Sequence, residues 1–186
     1  MNVVPLKLND AFYIEPKVHG DHRGFFMETW RDTWFEELNL NYQFVQDNHS
    51  QSTKGSLRGL HYQINHPQGK LVRVTKGEVF DVIVDLRTES PTFSQWAGIY
   101  LSEENKRIMW VPPGFAHGFY VVSPEAEFIY KCSEYYSPKD DRTLLWNDPE
   151  IGISWPISPA DKIIMSEKDK AGTRLKNAEV FKAMNQ

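Results

Sequence analysis

The sequence predicts an all-β fold, an antiparallel sandwich or barrel, for this chain of 186 residues. Three observations lead to that prediction. Short segments are rich in Val, Ile, Phe and Tyr, polar and apolar residues alternate within several of them, and turn residues separate them at regular intervals. Regularly spaced short strands favour antiparallel sheets over a parallel sheet with crossover helices.

The predicted strands form a β core between about residues 43 and 155. Polar and apolar residues alternate clearly in the predicted strand Val79–Leu86, where Asp81, Ile83 and Asp85 share one face. The predicted strands are Leu71–Thr75, Val79–Leu86, Trp96–Leu101, Arg107–Trp110, Gly118–Val122 and Glu127–Cys132. The turn residues between them are Lys76-Gly77, Ser90-Pro91, Pro112-Pro113-Gly114 and Ser123-Pro124.

Short helices are predicted only outside this core. Thr33-x-x-Glu36 fits a capping box that opens a helix through Leu38. Ser166-x-x-Asp169 fits the start of a second helix that runs toward Val180. Short helices that flank a β core are typical of a jelly roll, so we expect one domain over residues 1–186 with helical terminal extensions.

Composition and charge narrow the functional classes. The formal net charge of −4 argues against nucleic-acid or membrane binding, because both favour a basic surface. Cys132 is the single cysteine, so no intramolecular disulfide can form, and a reducing compartment is expected. We see neither a signal peptide nor an apolar run near the roughly 18 residues of a membrane helix. These features predict a cytoplasmic protein.

The first of two segments that resemble cupin motifs lies at residues 55–77. In that motif a glycine is followed, after five residues, by His-x-His, then by a glutamate and a closing glycine. This chain has Gly55, then His61-Tyr62-Gln63, with Lys70 where the glutamate belongs and Gly77 as the closing glycine. The resemblance implies a cupin-type jelly roll.

The second cupin motif, Pro-x-Gly-x-x-His, is intact from Pro112 to His117. Metal-binding cupins use three histidines and a glutamate, because a divalent ion prefers neutral imidazoles and an anionic oxygen. Here the four positions hold His61, Gln63, Lys70 and His117, and a lysine ammonium has no lone pair to donate. We therefore expect no metal and a pocket that suits an anion. Hydrogen-bonded core histidines are the alternative for His61 and His117.

A wider resemblance runs from about Asp10 to Asp169. It is carried by the segments His22–Glu28, Phe44–Ser50, Leu57–Gln63, Gln68–Val74, Gly77–Val82, Pro113–Phe119, Tyr130-Lys131, Trp146–Pro149 and Met165–Asp169. Taken together, these segments are similar to the dTDP-4-dehydrorhamnose 3,5-epimerase family. The resemblance implies a homodimer that uses no metal or organic cofactor. Its implied substrate is dTDP-4-dehydro-6-deoxy-D-glucose, and its implied product is dTDP-4-dehydro-β-L-rhamnose in dTDP-L-rhamnose biosynthesis. The apolar run Phe12–Ile14 is expected to join the sheet of the partner subunit.

The implied reaction inverts C3 and C5, which flank the C4 ketone. It requires a base, an acid on the opposite face of the sugar and a positive group at the ketone oxygen. By resemblance, His61 is the base and Asp169 is the carboxylate that pairs with it. Lys70 then stabilises the enolate, and Tyr130 is the proton donor.

The same resemblance implies a set of substrate-binding residues, in which cations hold the diphosphate and an aromatic ring stacks on thymine. These residues are Arg23, Phe26, Glu28, Gln46, Asn48, Arg58, Lys70, His117, Asp141 and Lys168. Asp141 departs from the family pattern, which more often has glutamate at that position.

Three alternatives stay open at this point. The first is an epimerase that inverts only C3 or only C5 of a related dTDP-4-keto-6-deoxysugar, and variation around Tyr135-Tyr136 is expected to tune that choice. The second is a metal-dependent cupin enzyme. The third is a noncatalytic sugar-binding jelly roll, which would have no reason to bring His61, Lys70 and Tyr130 together.

Overall fold

The computed structural model describes residues 1–182, so the last four residues of the predicted domain lie outside the described part. Its regular secondary structure consists mainly of antiparallel strands. They are β1 (Asn2–Pro5), β2 (Phe12–Glu15), β3 (Val18–Asp21), β4 (Gly24–Met27), β5 (Gln46–Thr53), β6 (Leu57–Gln63), β7 (Lys70–Lys76), β8 (Glu78–Asp85), β9 (Trp96–Ser102), β10 (Ile108–Val111), β11 (Phe115–Val121), β12 (Glu125–Cys132) and β13 (Asp141–Thr143).

Most of these strands form two sheets that pack face to face. Sheet I has the order β1-β2-β10-β7-β12-β5, and sheet II has the order β13-β6-β11-β8-β9. Within the described residues 1–182, strands β3 and β4 pair only with each other and form a separate hairpin. The predicted all-β, cupin-like sandwich is confirmed.

Alternating residues of the two sheets build the core between them. Val72 of β7 and Phe128 of β12 meet Ile83 of β8 and Phe119 of β11 in one apolar cluster. The rings of Phe119 and Phe128 stack with their centroids 4.4 Å apart. Further along β12, the residue on the same face is Tyr130, which is partly buried and packs against this cluster. At that point the interior changes from apolar packing to a polar cavity.

The N-terminal segment contributes strands to sheet I, so the β core extends beyond the predicted residues 43–155. Strand β2 pairs with β1 on one side and with β10 on the other. Both of its edges are therefore occupied within the same chain, and the expectation that Phe12–Ile14 joins the sheet of a partner was wrong. The reason is packing, because Phe12 and Ile14 are buried in an apolar cluster of their own chain.

The helix α1 (Thr33–Glu37) covers the outer face of sheet I and ends one residue before the predicted Leu38. Its cap is Asp32 instead of the predicted Thr33, since the Asp32 carboxylate accepts a hydrogen bond from the Thr33 N–H at 2.9 Å. Trp34 and Phe35 of this helix are buried against sheet I.

The helix α2 (Glu167–Lys170) is much shorter than predicted and does not reach Val180. Ser166 caps it as expected, by accepting a hydrogen bond from the Asp169 N–H at 3.1 Å. The helix ends because the chain beyond it pairs with another segment, where Thr173 forms a bridge with Leu144. A short 3₁₀-helix follows at Leu175–Asn177. Within residues 1–182, helices of the length and apolarity needed to cross a membrane do not occur.

Candidate active site

A polar cavity of about 310 Å³ opens between the two sheets, beyond the apolar core. Its walls come from inward-facing residues of β5, β7 and β12 in sheet I and of β6 and β13 in sheet II. The residues that line it are Gln46, Asn48, His61, Tyr62, Gln63, Gln68, Lys70, Tyr130, Cys132, Tyr136, Asp141 and Lys168.

His61 and Asp169 form a tight pair at the wall of this cavity. The distance between His61 Nε2 and Asp169 Oδ1 is 2.6 Å. Asp169 is only 4% exposed and also accepts hydrogen bonds from the Ser166 hydroxyl at 2.7 Å and the Gly59 N–H at 3.4 Å. The cap of α2 thus positions the carboxylate that orients the histidine.

The protonation of this pair follows from its surroundings. Burial lowers the pKa of His61 below 6.5, although the hydrogen bond to Asp169 opposes that shift. Burial alone would raise the pKa of Asp169, but the hydrogen bonds from His61 and Ser166 outweigh it and leave the pKa below 3.8. At neutral pH the carboxylate is therefore ionised and the imidazole neutral. Nε2 carries the proton toward Asp169, and Nδ1 keeps a free lone pair.

Lys70 places an ammonium group in the same cavity. It begins β7, lies directly opposite Cys132 of β12, and is 9% exposed. Burial lowers its pKa from 10.5, while Cys132, Asp141 and Asp81 oppose the shift. Within residues 1–182 its Nζ has no hydrogen-bond acceptor, so the cation is available to an anionic oxygen.

The residues at the cupin ligand positions do not fit a metal ion. Lys70 has no lone pair to offer while it is protonated. The amide of Gln63 is used entirely in hydrogen bonds to the backbone of neighbouring loops. In the described part of the chain, no group of three His, Cys, Asp or Glu side chains is placed to hold a metal. The expectation of a metal-free site remains a prediction.

Tyr130 faces the cavity from sheet I, whereas His61 faces it from sheet II. Tyr130 pairs with Asn48 of β5 and with Val72 of β7. Burial raises its pKa above 10, and Arg58 opposes this shift, so the phenol keeps its proton at neutral pH. The cavity therefore holds a neutral base and a protonated phenol on opposite walls.

His117 is held behind this arrangement by a buried carboxylate. It lies beside His61 in the pairing of β11 with β6, and its Nε2 is 2.9 Å from Asp81 Oδ1. Asp81 is fully buried, and burial raises its pKa while His117 and Lys70 oppose the shift. His117 is not among the residues that line the cavity, so its expected contact with substrate remains a prediction.

A second pocket of about 360 Å³ shares His61 and Lys168 with the first. It also includes Arg58 and Asp169. The Arg58 guanidinium is exposed and donates to the Gln51 carbonyl at 3.2 Å. Two cationic side chains, Arg58 and Lys168, thus lie along a surface that leads away from the histidine, as an extended anionic ligand requires.

The cavity mouth contains a network that the sequence did not indicate in full. Asp141 forms an ion pair with Lys168 and accepts a hydrogen bond from the Tyr136 hydroxyl at 2.9 Å. Gln46 accepts from the Tyr136 N–H and donates to Asn48 Oδ1, each at 3.0 Å. The short side chain of Asp141 therefore reaches both Lys168 and Tyr136.

Three of the expected binding residues lie away from this cavity. Arg23 and Phe26 belong to the β3–β4 hairpin and line a separate surface pocket, and Glu28 follows that hairpin. Arg23 pairs with Asp21 at 2.6 Å, and Phe26 is 72% exposed. The structure therefore does not bring these three residues to the His61 cavity of their own chain.

Comparison with known proteins identifies the family. A sequence model described as dTDP-4-dehydrorhamnose 3,5-epimerase matches residues 5–177. The chain belongs to the dTDP-4-dehydrorhamnose 3,5-epimerase family. A relative in Pseudomonas aeruginosa that carries this name is 53% identical over 182 residues, which are 97% of this chain and 99% of that protein.

Two further family members differ in how much of them this chain covers. The relative in Neisseria gonorrhoeae is 53% identical over 179 residues, which are 96% of this chain, but this chain spans only 54% of that protein's length. The dTDP-6-deoxy-D-glucose-3,5-epimerase from Legionella pneumophila, solved in complex with dTDP-4-keto-L-rhamnose, has a TM-score of 0.95 and 47% identity. In that comparison each chain is covered to 99%. The family resemblance read from the sequence motifs is confirmed.

Several cavity residues were not singled out from the sequence as site residues. They are Tyr62, Gln68 and Cys132 in the lining, and Asp81 behind His117. Gln63 was noted only at a cupin ligand position, and Tyr136 only as a residue that tunes single or double inversion. The sequence could have indicated Asp81, because a carboxylate on the inward face of an alternating strand needs a polar partner in the interior. The others lie on strand ends and loops whose approach depends on long-range pairing.

Proposed function

We propose that this chain epimerises C3 and C5 of dTDP-4-dehydro-6-deoxy-D-glucose without a cofactor and yields dTDP-4-dehydro-β-L-rhamnose for dTDP-L-rhamnose biosynthesis. The observation that carries the proposal is the cavity in which the His61–Asp169 pair faces Tyr130 and which Lys70 also lines. Membership of the family supports the proposal, as does the similarity to the Legionella enzyme.

In the proposed first step, His61 Nδ1 removes the proton from the carbon next to the C4 ketone. The electron pair of the C–H bond moves into the ring, and the ketone oxygen becomes an enolate oxygen. The Lys70 ammonium stabilises that negative charge in a buried site, where an electrostatic interaction is stronger than in water. Asp169 stabilises the imidazolium that forms.

In the second step, the enolate carbon takes a proton from the opposite face. The Tyr130 hydroxyl gives that proton, the C=O bond re-forms, and the carbon is inverted. His61 then loses its proton to solvent and the tyrosinate regains one, so the enzyme returns to its starting state. The same groups serve the second carbon after the sugar ring has rearranged, because both carbons flank one ketone.

The proposed nucleotide site extends from this centre over the second pocket. Arg58 and Lys168 bind the diphosphate, since their cations lie beside His61. Gln46 and Asn48 contact the nucleotide, and Asp141 positions Lys168. His117 contacts the sugar in a tautomer that Asp81 selects.

We also propose a homodimer in which the β3–β4 hairpin completes the site of the partner subunit. An isolated two-stranded hairpin is marginally stable alone, and exposed aromatic side chains mark interaction surfaces. Phe25 and Phe26 are exposed on this hairpin, and among residues 1–182 Asp21 is the only hydrogen-bond and ion-pair partner of the Arg23 side chain. Placement in a second subunit would bring Arg23, Phe26 and Glu28 to a nucleotide that they do not meet in their own chain.

The proposed location is the cytoplasm. Cys132 is a free, buried thiol, which fits a reducing compartment. Cell fractionation with an antibody against the chain would test this, and recovery in an exported fraction would contradict it.

Incubation with dTDP-4-dehydro-6-deoxy-D-glucose in heavy water, followed by NMR of the product, tests the main proposal. We expect the L-rhamnose configuration with deuterium at both C3 and C5. Deuterium and inversion at one carbon alone would make the enzyme a single-centre epimerase. If neither carbon exchanged, the chain would not be an epimerase of this substrate.

A further inference from the structure

Gln63 occupies a position at which metal-binding cupins carry a ligand, yet its side chain is used in a different way. It is 3% exposed and lies on β6 directly opposite Asp141. Its Nε2 donates to the His66 carbonyl at 2.7 Å and to the Tyr135 carbonyl at 3.2 Å. Its Oε1 accepts from the Ser137 N–H at 2.8 Å. All of these bonds join one side chain to the backbone of two loops at the cavity mouth.

The residue between the two anchored loop positions is Tyr136, which lines the cavity. Its own N–H donates to Gln46 Oε1 at 3.0 Å, and its hydroxyl donates to Asp141 Oδ2 at 2.9 Å. Tyr136 is therefore held at its backbone by Gln46, at both flanking residues by Gln63 and at the tip of its ring by Asp141. A side chain held at every attachment point keeps one orientation at the mouth.

A glutamine suits this position because one amide combines two donors and an acceptor. The Tyr135 carbonyl needs a hydrogen-bond donor and the Ser137 N–H needs an acceptor, and both face the side chain of Gln63. A carboxylate would place an acceptor against two carbonyls. An aliphatic side chain would leave buried polar groups of the backbone without partners.

We propose that Gln63 is a positioning residue that fixes the orientation of Tyr136 over the cavity mouth, and that catalysis depends on it through Tyr136. This inference rests on the proposed epimerase function for its kinetic consequence. Its structural part, the anchoring of residues 135–137, stands independently of the reaction.

The kinetic test compares the wild type with Gln63→Met, Tyr136→Ala and the double variant. We expect Gln63→Met to lower kcat/KM by about 10- to 100-fold, because a displacement of about 1 Å at a site costs that much. In the Tyr136→Ala background the same change should alter kcat/KM by less than about twofold. Losses that multiply in the double variant would overturn the proposal. Gln51→Met is the matched control, since Gln51 bonds to the exposed Glu125.

A second readout does not need turnover. Amide hydrogen exchange at residues 136 and 137 should become faster in Gln63→Met, while exchange in the central part of β12 stays as in the wild type. Unchanged exchange at residues 136 and 137 would overturn the proposal, and so would a uniform increase over the whole chain. Gln63→Glu keeps the size and the acceptor, and serves if the methionine variant fails to fold. If the wild type shows no epimerisation, the proposed function fails and the exchange measurement alone decides the role of Gln63.

Discussion

His61 and Tyr130 face one cavity from opposite sheets of the sandwich. Epimerisation needs this relationship, because a proton removed from one face of a carbon must be replaced from the other. A jelly roll supplies it through strand pairing alone, since inward-facing residues of two sheets meet across the interior. The base and the acid can therefore be tested separately.

The pH dependence of kcat/KM should report the lowered pKa of His61. Activity requires the neutral imidazole, so the rate should fall as the pH decreases through a value below 6.5. Asp169→Asn removes the hydrogen bond that raises this pKa, so the acidic limb should move to still lower pH. The rate at neutral pH should fall by about 10²–10⁴-fold, because the tautomer is no longer selected.

Steady-state rates from pH 4 to 9 would measure both effects. Asp161→Asn is a suitable control, because that carboxylate is not part of the cavity lining and accepts a hydrogen bond from the Ser158 N–H at 2.8 Å. An acidic limb that moved to higher pH in Asp169→Asn would contradict the assignment of His61 as the base.

Tyr130→Phe should separate proton removal from inversion. His61 remains able to abstract, so deuterium should still enter from heavy water, while inversion falls by about 10²–10⁴-fold at one or both carbons. NMR of recovered substrate and product measures both rates, with Tyr100→Phe on the exposed part of β9 as the control. Equal losses of exchange and inversion would mean that the tyrosine is not the proton donor.

Lys70→Met should remove the charge that stabilises the enolate. We expect kcat to fall by about 10²–10³-fold. The dissociation constant for dTDP should change little, because the cations proposed for the diphosphate are Arg58 and Lys168. Calorimetry and steady-state kinetics measure the two quantities, and Lys76→Met at the exposed end of the same strand is the control. A large loss of dTDP affinity with unchanged kcat would place Lys70 in nucleotide binding instead.

Prolonged dialysis against EDTA should leave turnover unchanged. The residues at the cupin ligand positions offer an ammonium group and an amide already bonded to the backbone, and neither suits a divalent ion. Activity lost to the chelator and restored by one divalent metal would support a metal-dependent cupin enzyme.

Subunit mixing should reveal whether the hairpin acts on the partner. Arg23→Ala and His61→Asn are each expected to be nearly inactive alone. If the hairpin acts in trans, a random 1:1 mixture should regain about a quarter of wild-type activity, because half of the dimers are mixed and each has one intact site. Light scattering gives the oligomeric state. A monomer, or a mixture without recovery, would contradict the proposed exchange.

The sequence predicted β7 to β12, which are rich in β-branched and aromatic residues, but it did not single out β5 or β6 as strands. The sequence of Gln46–Thr53 is polar throughout, so it lacks the alternation that indicates a half-buried strand. It forms a strand because all eight of its residues pair with β12. The predicted length of the second helix was wrong for the opposite reason. Ser166 caps the helix as the sequence indicates, but the helix ends early because Thr173 pairs with Leu144.

The sequence by itself determined the fold class, the family and the chemical character of the site. Strand alternation, the two histidine motifs and the lysine in place of a glutamate are local features, and they can be read one segment at a time. Only the tertiary structure decided that Gln63 anchors the loop around Tyr136 and that Asp81 holds His117. The hairpin with Arg23 and Phe26 also proved to lie away from its own cavity. These relationships depend on register between distant strands, which no local pattern records.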